Sequence, residues 1–266
     1  MIIWALWKKE WKSNYKIMAL FLALITMYSV VITLMFDPEL GESLEMMAKA
    51  MPELFSAFGM DASGTTLLEF VSNYLYGFIL IVIPLIFILL MCSRLITRYV
   101  DKGSMAYLLA TPNPRGKMIR TQLLFLIVSL LFTVIYVICV VDICGYLLFD
   151  EILESKAFLT LNIGLFGLHL FFASIAYFFA CSFDDTRFSI GISSGLSIVF
   201  VLIQMLSQVG DKMEFLKYLT PLTLFQPKEL IALDGNAIVC VVVLYLIACI
   251  LFLSATIIFK NRDISI

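Results

Sequence analysis

The chain is 266 residues long, 62% hydrophobic, with a formal net charge of −2 and a mean hydropathy of +1.03. Soluble domains hold about 45–50% apolar residues, so no soluble domain of useful size fits in what remains. The small net charge conceals a segregation, because the ends and one loop are basic while the other loops are acidic.

Six apolar stretches, 17–36, 73–93, 123–149, 158–183, 189–209 and 237–259, each approach or exceed the roughly 20 residues that a helix needs to cross about 30 Å of hydrocarbon. An unsatisfied backbone amide costs several kcal/mol in lipid, so each stretch must close its own hydrogen bonds as a helix. The predicted fold class is therefore all-α: one polytopic six-helix transmembrane domain over 1–266, with short interfacial and coupling helices. Asp142 and His169 are the only Asp, Glu, Lys, Arg or His in the six stretches.

Residues 2–16 predict a helix on the inner membrane surface, before the chain turns into the first span. Ile3, Trp4, Trp7, Trp11 and Tyr15 share one face and Lys8, Lys9, Lys12 and Lys16 the neighbouring one, which suits the headgroups of an anionic leaflet. A basic tail that merely sets orientation is the other reading. The first span is too long for a signal-peptide core and lacks a small-residue cleavage site after it, so it is expected to be retained.

Segment 37–72 carries seven acids and one Lys and is expected outside. Asp37-Pro38 reads as an N-cap followed by proline at the first helical position, Leu44, Met47, Met51 and Phe55 recur at helical spacing, and Pro52 should break or kink that helix. Thr66 and Glu69 form a capping box that opens the second span.

The stretch 94–122 carries Arg98-Tyr99-Val100-Asp101-Lys102-Gly103-Ser104, the apolar run Met105-Ala106-Tyr107-Leu108-Leu109, and Thr111-Pro112-Asn113-Pro114-Arg115-Gly116-Lys117. Gly103 and Ser104 can start a short helix, Thr111-Pro112 ends it, and Asn113-Pro114 restarts the chain. A half-apolar helix held between two spans suits docking on a soluble partner; a surface helix touching only lipid has the same pattern.

Thirteen of the eighteen Lys and Arg fall on one side when the amino terminus is cytoplasmic, so positive-inside bias puts both termini in the cytoplasm. The turn at 184–188, with Asp184, Asp185 and Arg187, favours neither side. Cys92, Cys139, Cys144, Cys181, Cys240 and Cys249 all lie in apolar stretches, so no external disulfide framework and no metal-ligand pairing is expected.

At this loop the chain resembles the permease subunits of ABC-2-type transporters. The matching residues are Asp101-Lys102-Gly103-Ser104, Leu108-Leu109-Ala110-Thr111-Pro112 and Arg115-Gly116-Lys117. Met51-Pro52-Glu53-Leu54, Phe58-Gly59-Met60, Phe215 to Pro221 and Phe259-Lys260-Asn261-Arg262-Asp263 keep the family's order along nearly the whole chain. Two departures are a Tyr99-Val100 pair where family members often carry glutamates and an acidic turn, Asp184-Asp185, where theirs is basic.

The resemblance implies a permease of the plasma membrane that carries a hydrophobic or amphipathic substrate outward. Its partners would be separate ABC ATPase subunits, a second permease subunit of the same or another chain, and the lipid bilayer, with no nucleic acid. Asp101, Lys102, Gly103, Tyr107, Leu108, Leu109, Pro112, Arg115 and Lys117 would couple it to the ATPase. No G-x-x-x-x-G-K-[ST] phosphate loop is present, so ATP and Mg are expected on the partner ATPase, with no catalytic residue, cofactor or metal on this chain.

Two other chemistries compete. Gly191-Ile192-Ser193-Ser194-Gly195 fits G-x-S-x-G with His169 as a base, but that motif needs a strained strand-to-helix turn, and here it opens a span; Gly191 and Gly195 read better as a face for close helix packing. Asp142 and His169, roughly 10 Å and 16 Å below the outer ends of their spans at about 1.5 Å per residue, would support a proton- or ion-coupled secondary transporter. A structural polar contact is the alternative for that pair.

Overall fold

The computed structural model describes residues 2–36, 43, 46–60, 66–101, 114–149, 153, 155–183, 185–209 and 211–261. Its elements are α1 (Trp4–Leu34), α2 (Pro52–Ala57), α3 (Leu67–Thr97), α4 (Arg115–Phe149), α5 (Ser155–Ser182), α6 (Thr186–Ser207), α7 (Pro227–Ile231) and α8 (Gly235–Asn261). Among the described residues, six helices are long and apolar enough to cross a membrane: α1, α3, α4, α5, α6 and α8. Each predicted apolar stretch is the core of one of them.

The expected turn between a surface helix at 2–16 and the first span is not made, because α1 runs unbroken from Trp4 to Leu34. The physical reason lies on a face that the aromatic pattern obscures. Leu6, Glu10, Asn14 and Met18 form a buried stripe at i, i+4 spacing that continues into Phe21 and Ile25. Trp7 and Trp11 both meet Phe125 of α4 edge-on at 5.5 Å, and the Ile3 amide donates to Thr121 Oγ1 at 3.1 Å. Trp4 and Tyr15 are exposed, so the aromatic face is divided between core and surroundings.

Between α1 and α3, Pro52 breaks the helix as its missing N–H requires: it stands at the start of α2, after Met51 in a non-helical conformation. α2 ends in a Schellman turn, with Gly59 at φ 69° and the Met60 amide donating to the Phe55 carbonyl at 2.9 Å. Thr66 and Glu69 make the reciprocal capping bonds, each 3.3 Å, that open α3.

α3 departs from regular α geometry in three places. Ser72–Ile79 and Ser93–Thr97 are wide π-helical segments, and Pro84 lies inside the α-helical part between them. Such segments recur where a helix must re-aim side chains.

α5 is the centre of the bundle, with 78% of its apolar window buried against 17% for α6 at the periphery. Two glycines let neighbours approach it. A Cβ on Gly164 would come within 2.6 Å of Leu230, and one on Gly167 within 2.9 Å of the Tyr245 ring. Among the described residues the close packing expected at Gly191 and Gly195 is not seen, since none of them lies within 4 Å of a Cβ built on either. α6 instead turns Ser189, Ser193 and Ser197 inward, and that leaves the glycines on its outer face. All six cysteines are free thiols.

Candidate functional site

The predicted coupling residues Lys102, Gly103, Tyr107, Leu108, Leu109 and Pro112 lie outside the described residues, as do Asp37-Pro38, Leu44, Asp184 and Arg262. Asp101 ends the helical turn Arg98–Asp101 that follows α3. Arg115 opens α4, with Lys117 in its first turn. The two flanks of the loop are thus the end of α3 and the start of α4, and both are tied to α1.

The tie to α3 is a buried polar network. Glu10 is 2% exposed, and its Oε1 accepts the Tyr99 hydroxyl at 2.7 Å. Asn14, one turn further along α1, donates from Nδ2 to Glu10 Oε2 at 3.1 Å and to the Glu10 carbonyl at 3.0 Å. Its Oδ1 accepts Arg94 Nε at 2.7 Å, while Arg94 also reaches the Ser13 carbonyl at 3.0 Å. The Asn14 amide therefore bridges a carboxylate and a guanidinium, and its orientation is fixed by needing a donor on one side and an acceptor on the other.

Tyr99 completes the cluster. Burial, then the hydrogen bond to the Glu10 carboxylate, raise its phenol above the usual tyrosine range, so the hydroxyl keeps its proton at neutral pH and remains a donor. Lys9 lies 4.7 Å from the ring centre. Arg94 belongs to the second π segment, Ser93–Thr97. Tyr99 follows that segment by two residues, and Asp101 by four.

The sequence pattern gave little warning of this network. Glu10 is the lone acid between four lysines in 8–16, and its i+4 relation to Asn14 was the available signal. Arg94 reads as a topology charge at the end of an apolar stretch. Only the fold brings it within reach of Asn14.

The membrane-embedded pair is not joined directly. His169 is 1% exposed, and its Nε2 lies 2.8 Å from the Leu80 carbonyl. A carbonyl only accepts, so Nε2 carries the proton. The carbonyl is available because its normal i+4 donor would be the amide of residue 84, which is proline. His169 thus satisfies the backbone oxygen that Pro84 leaves open, and the structure records no hydrogen bond from it to Asp142. Its Nδ1 has no partner among the described residues. Asp142 is half-buried on α4.

Ser193 of the G-x-S-x-G run is held inside α6, donating to the Ser189 carbonyl at 2.7 Å, far from the exposed turn that a nucleophile requires.

The family model described as ABC-2 family transporter protein matches residues 4–264. No curated protein matches the chain. With nearly its whole length covered, the chain belongs to the ABC-2 transporter family: it is a multi-pass ABC transporter permease, a membrane transport component that works with ABC ATPase subunits.

Proposed function

We propose that this permease is one of two membrane subunits of an ATP-driven exporter of the plasma membrane. Both termini lie in the cytoplasm, and the cargo is hydrophobic or amphipathic. ATP and Mg bind the separate ATPase subunits, whose closure pushes on the segment 101–117. The observation that carries this reading is the Glu10–Asn14–Arg94–Tyr99 network, because it ties α1 to the last turns of α3 immediately before that segment.

A push on a loop moves a bundle only when the loop's flanks are rigid. Buried charge-assisted hydrogen bonds supply rigidity, since they are short and directional. Displacement of Tyr99 would therefore be passed to Glu10, and through α1 to α4, against which Trp7 and Trp11 pack. The open Gly191 and Gly195 face of α6 is where a second permease could approach closely.

Replacing Leu108 and Leu109 together with Asp tests the reading. Membrane insertion should persist, while the ATPase no longer copurifies or its hydrolysis no longer drives transport. Leu54→Asp, at the other end of the bundle, is the control and should leave ATPase association unchanged. A Leu108/Leu109 variant that copurifies and transports at the unmodified rate would remove the coupling role from this segment. Cysteines placed at Ser43 and Ser104 give the orientation: an impermeant thiol reagent should reach the first in intact cells and the second only after permeabilisation.

A further inference from the structure

At the end of the bundle opposite the Glu10–Arg94 network, the chain surrounds a cavity of about 390 Å³, within the range of small-molecule sites. Its walls are the first π segment of α3, the end of α6 and the folded connection that leads into α8, with the end of α2 at its rim. Glycines make this closure possible. A Cβ on Gly77 would stand 3.3 Å from the carbonyl oxygens of both Phe58 and Gly59, so the end of α2 rests directly on the π segment.

The uncharged polar lining, Ser56, Ser72, Asn73, Gln204, Gln208, Thr223 and Gln226, is made of groups that both donate and accept. The charged lining residues are Lys228 and Glu229, whose formal charges cancel. Gln204 makes one side-chain contact, with Thr223 Oγ1 at 3.1 Å. Gln226 likewise makes one, from Nε2 to the Thr223 carbonyl at 3.0 Å. A carboxamide has two N–H donors and a carbonyl acceptor, so either orientation of each leaves both kinds of capacity open. The Ser72 hydroxyl, on a residue 0% exposed, has no hydrogen-bond partner. Amides with donors and acceptors to spare along one wall are an arrangement that a ligand completes.

The chemistry of the ligand follows from that inventory. A phosphate or carboxylate would call for donors and net positive charge, and an ammonium for acceptors and net negative charge. A hydroxyl both donates and accepts on one atom, as these walls do. Ile81, Leu222 and Phe225 add an apolar side, against which the C–H face of a sugar ring can lie. We propose that this cavity binds a neutral polyhydroxylated group, a sugar or polyol, either free or as the head of an amphipathic molecule. As the identity of a cargo, it rests on the exporter reading above; as a binding site, it does not need the ATPase.

The test uses the permease alone, purified without glycoside detergent and placed in phosphatidylcholine nanodiscs. A photoreactive octyl glucoside is added, and the labelled peptides are mapped. Label is expected within 72–81 and 204–229, displaced by excess octyl glucoside and not by octylphosphocholine. Displacement by glucose at the same concentration assigns the site to a free sugar; displacement only by the alkyl glycoside assigns it to a tailed head. Gln204→Leu with Gln226→Leu should cut specific labelling on the order of tenfold, as the loss of a few neutral hydrogen bonds requires, and Ser72→Ala should cut it by a smaller factor with the fold retained. Equal displacement by octylphosphocholine, or label spread over the lipid-facing helix surfaces, overturns the proposal, and both outcomes are read on the unmodified protein. Because no ATPase is present, such a failure leaves the coupling reading untouched, and a failure of ATPase copurification leaves the labelling result untouched.

Discussion

The network between the N-terminal part of α1 and the C-terminal end of α3 predicts that Glu10 and Arg94 are energetically coupled although Asn14 stands between them. Arg94→Met leaves Glu10, 2% exposed, as a buried carboxylate with the neutral donors of Tyr99 and Asn14 and the charge of nearby Lys9. Removing one partner of a fully buried ion pair costs about 3–5 kcal/mol; Arg94 is half-exposed and acts through Asn14, so about 2–3 kcal/mol is expected here. Glu10→Leu removes the buried charge but takes from the half-buried Tyr99 hydroxyl the carboxylate it donates to, at about 1–3 kcal/mol. In the double variant the main penalty of Arg94→Met is gone, so its cost should fall short of the sum by about 1–2 kcal/mol. The assay is reversible unfolding in mixed micelles followed by tryptophan fluorescence. Trp7 and Trp11, packed on Phe125 beside the site, make the signal local. Additivity within about 0.5 kcal/mol would refute the reasoning, because independent sites behave that way.

Gly167→Ala should destabilise by about 1–3 kcal/mol in the same assay, since the new Cβ meets the Tyr245 ring at 2.9 Å and moves the hydroxyl that bonds the Ile163 carbonyl; Gly191→Ala, with nothing within 4 Å, should stay within about 0.5 kcal/mol. His169→Leu strands the Leu80 carbonyl in an apolar interior, and adding Pro84→Ala should recover part of the loss by restoring an i+4 donor; a double variant no more stable than His169→Leu alone would show that the carbonyl is not what His169 serves. Gln122 is fully buried with neither amide atom bonded among the described residues, so Gln122→Leu should raise the unfolding midpoint, because the buried amide costs about 1–3 kcal/mol.

The membrane fold was legible because hydrocarbon imposes one rule on every span, and six stretches of span length, with Asp142 and His169 their only Asp, Glu, Lys, Arg or His, satisfy it. Local signals with a stereochemical cause also carried through, as at Pro52 and in the Thr66 and Glu69 capping box. What stayed hidden depended on which residues the fold brings together. Gly191 and Gly195 have the G-x-x-x-G spacing that signals close packing and Gly164 and Gly167, three residues apart, do not; only the position of α5 at the centre makes the latter pair the packing site. Aromatic residues at helical spacing in 3–15 suggested an interfacial face, while the decisive stripe included Glu10 and Asn14, polar residues whose burial is intelligible only once Arg94 and Tyr99 are in place.

α3 connects the two ends of the bundle. One π segment presents Ser72, Asn73 and Gly77 to the cavity, and the other carries Arg94, which reaches Asn14. Pro84 lies between them, its open carbonyl position held by His169 of the central helix α5. A uniform α-helix would carry i→i−4 bonds throughout. α3 instead widens to π-helical hydrogen bonding at both ends, and in the middle Pro84 supplies no backbone donor, so that hydrogen bond has passed to a neighbouring helix. A displacement applied near Tyr99 would therefore be taken up at three defined positions, one of which borders the cavity. His169→Leu acts on the middle position alone, so in a coupled transporter it should alter how ATPase closure changes labelling at 72–81 while leaving the association of the ATPase intact.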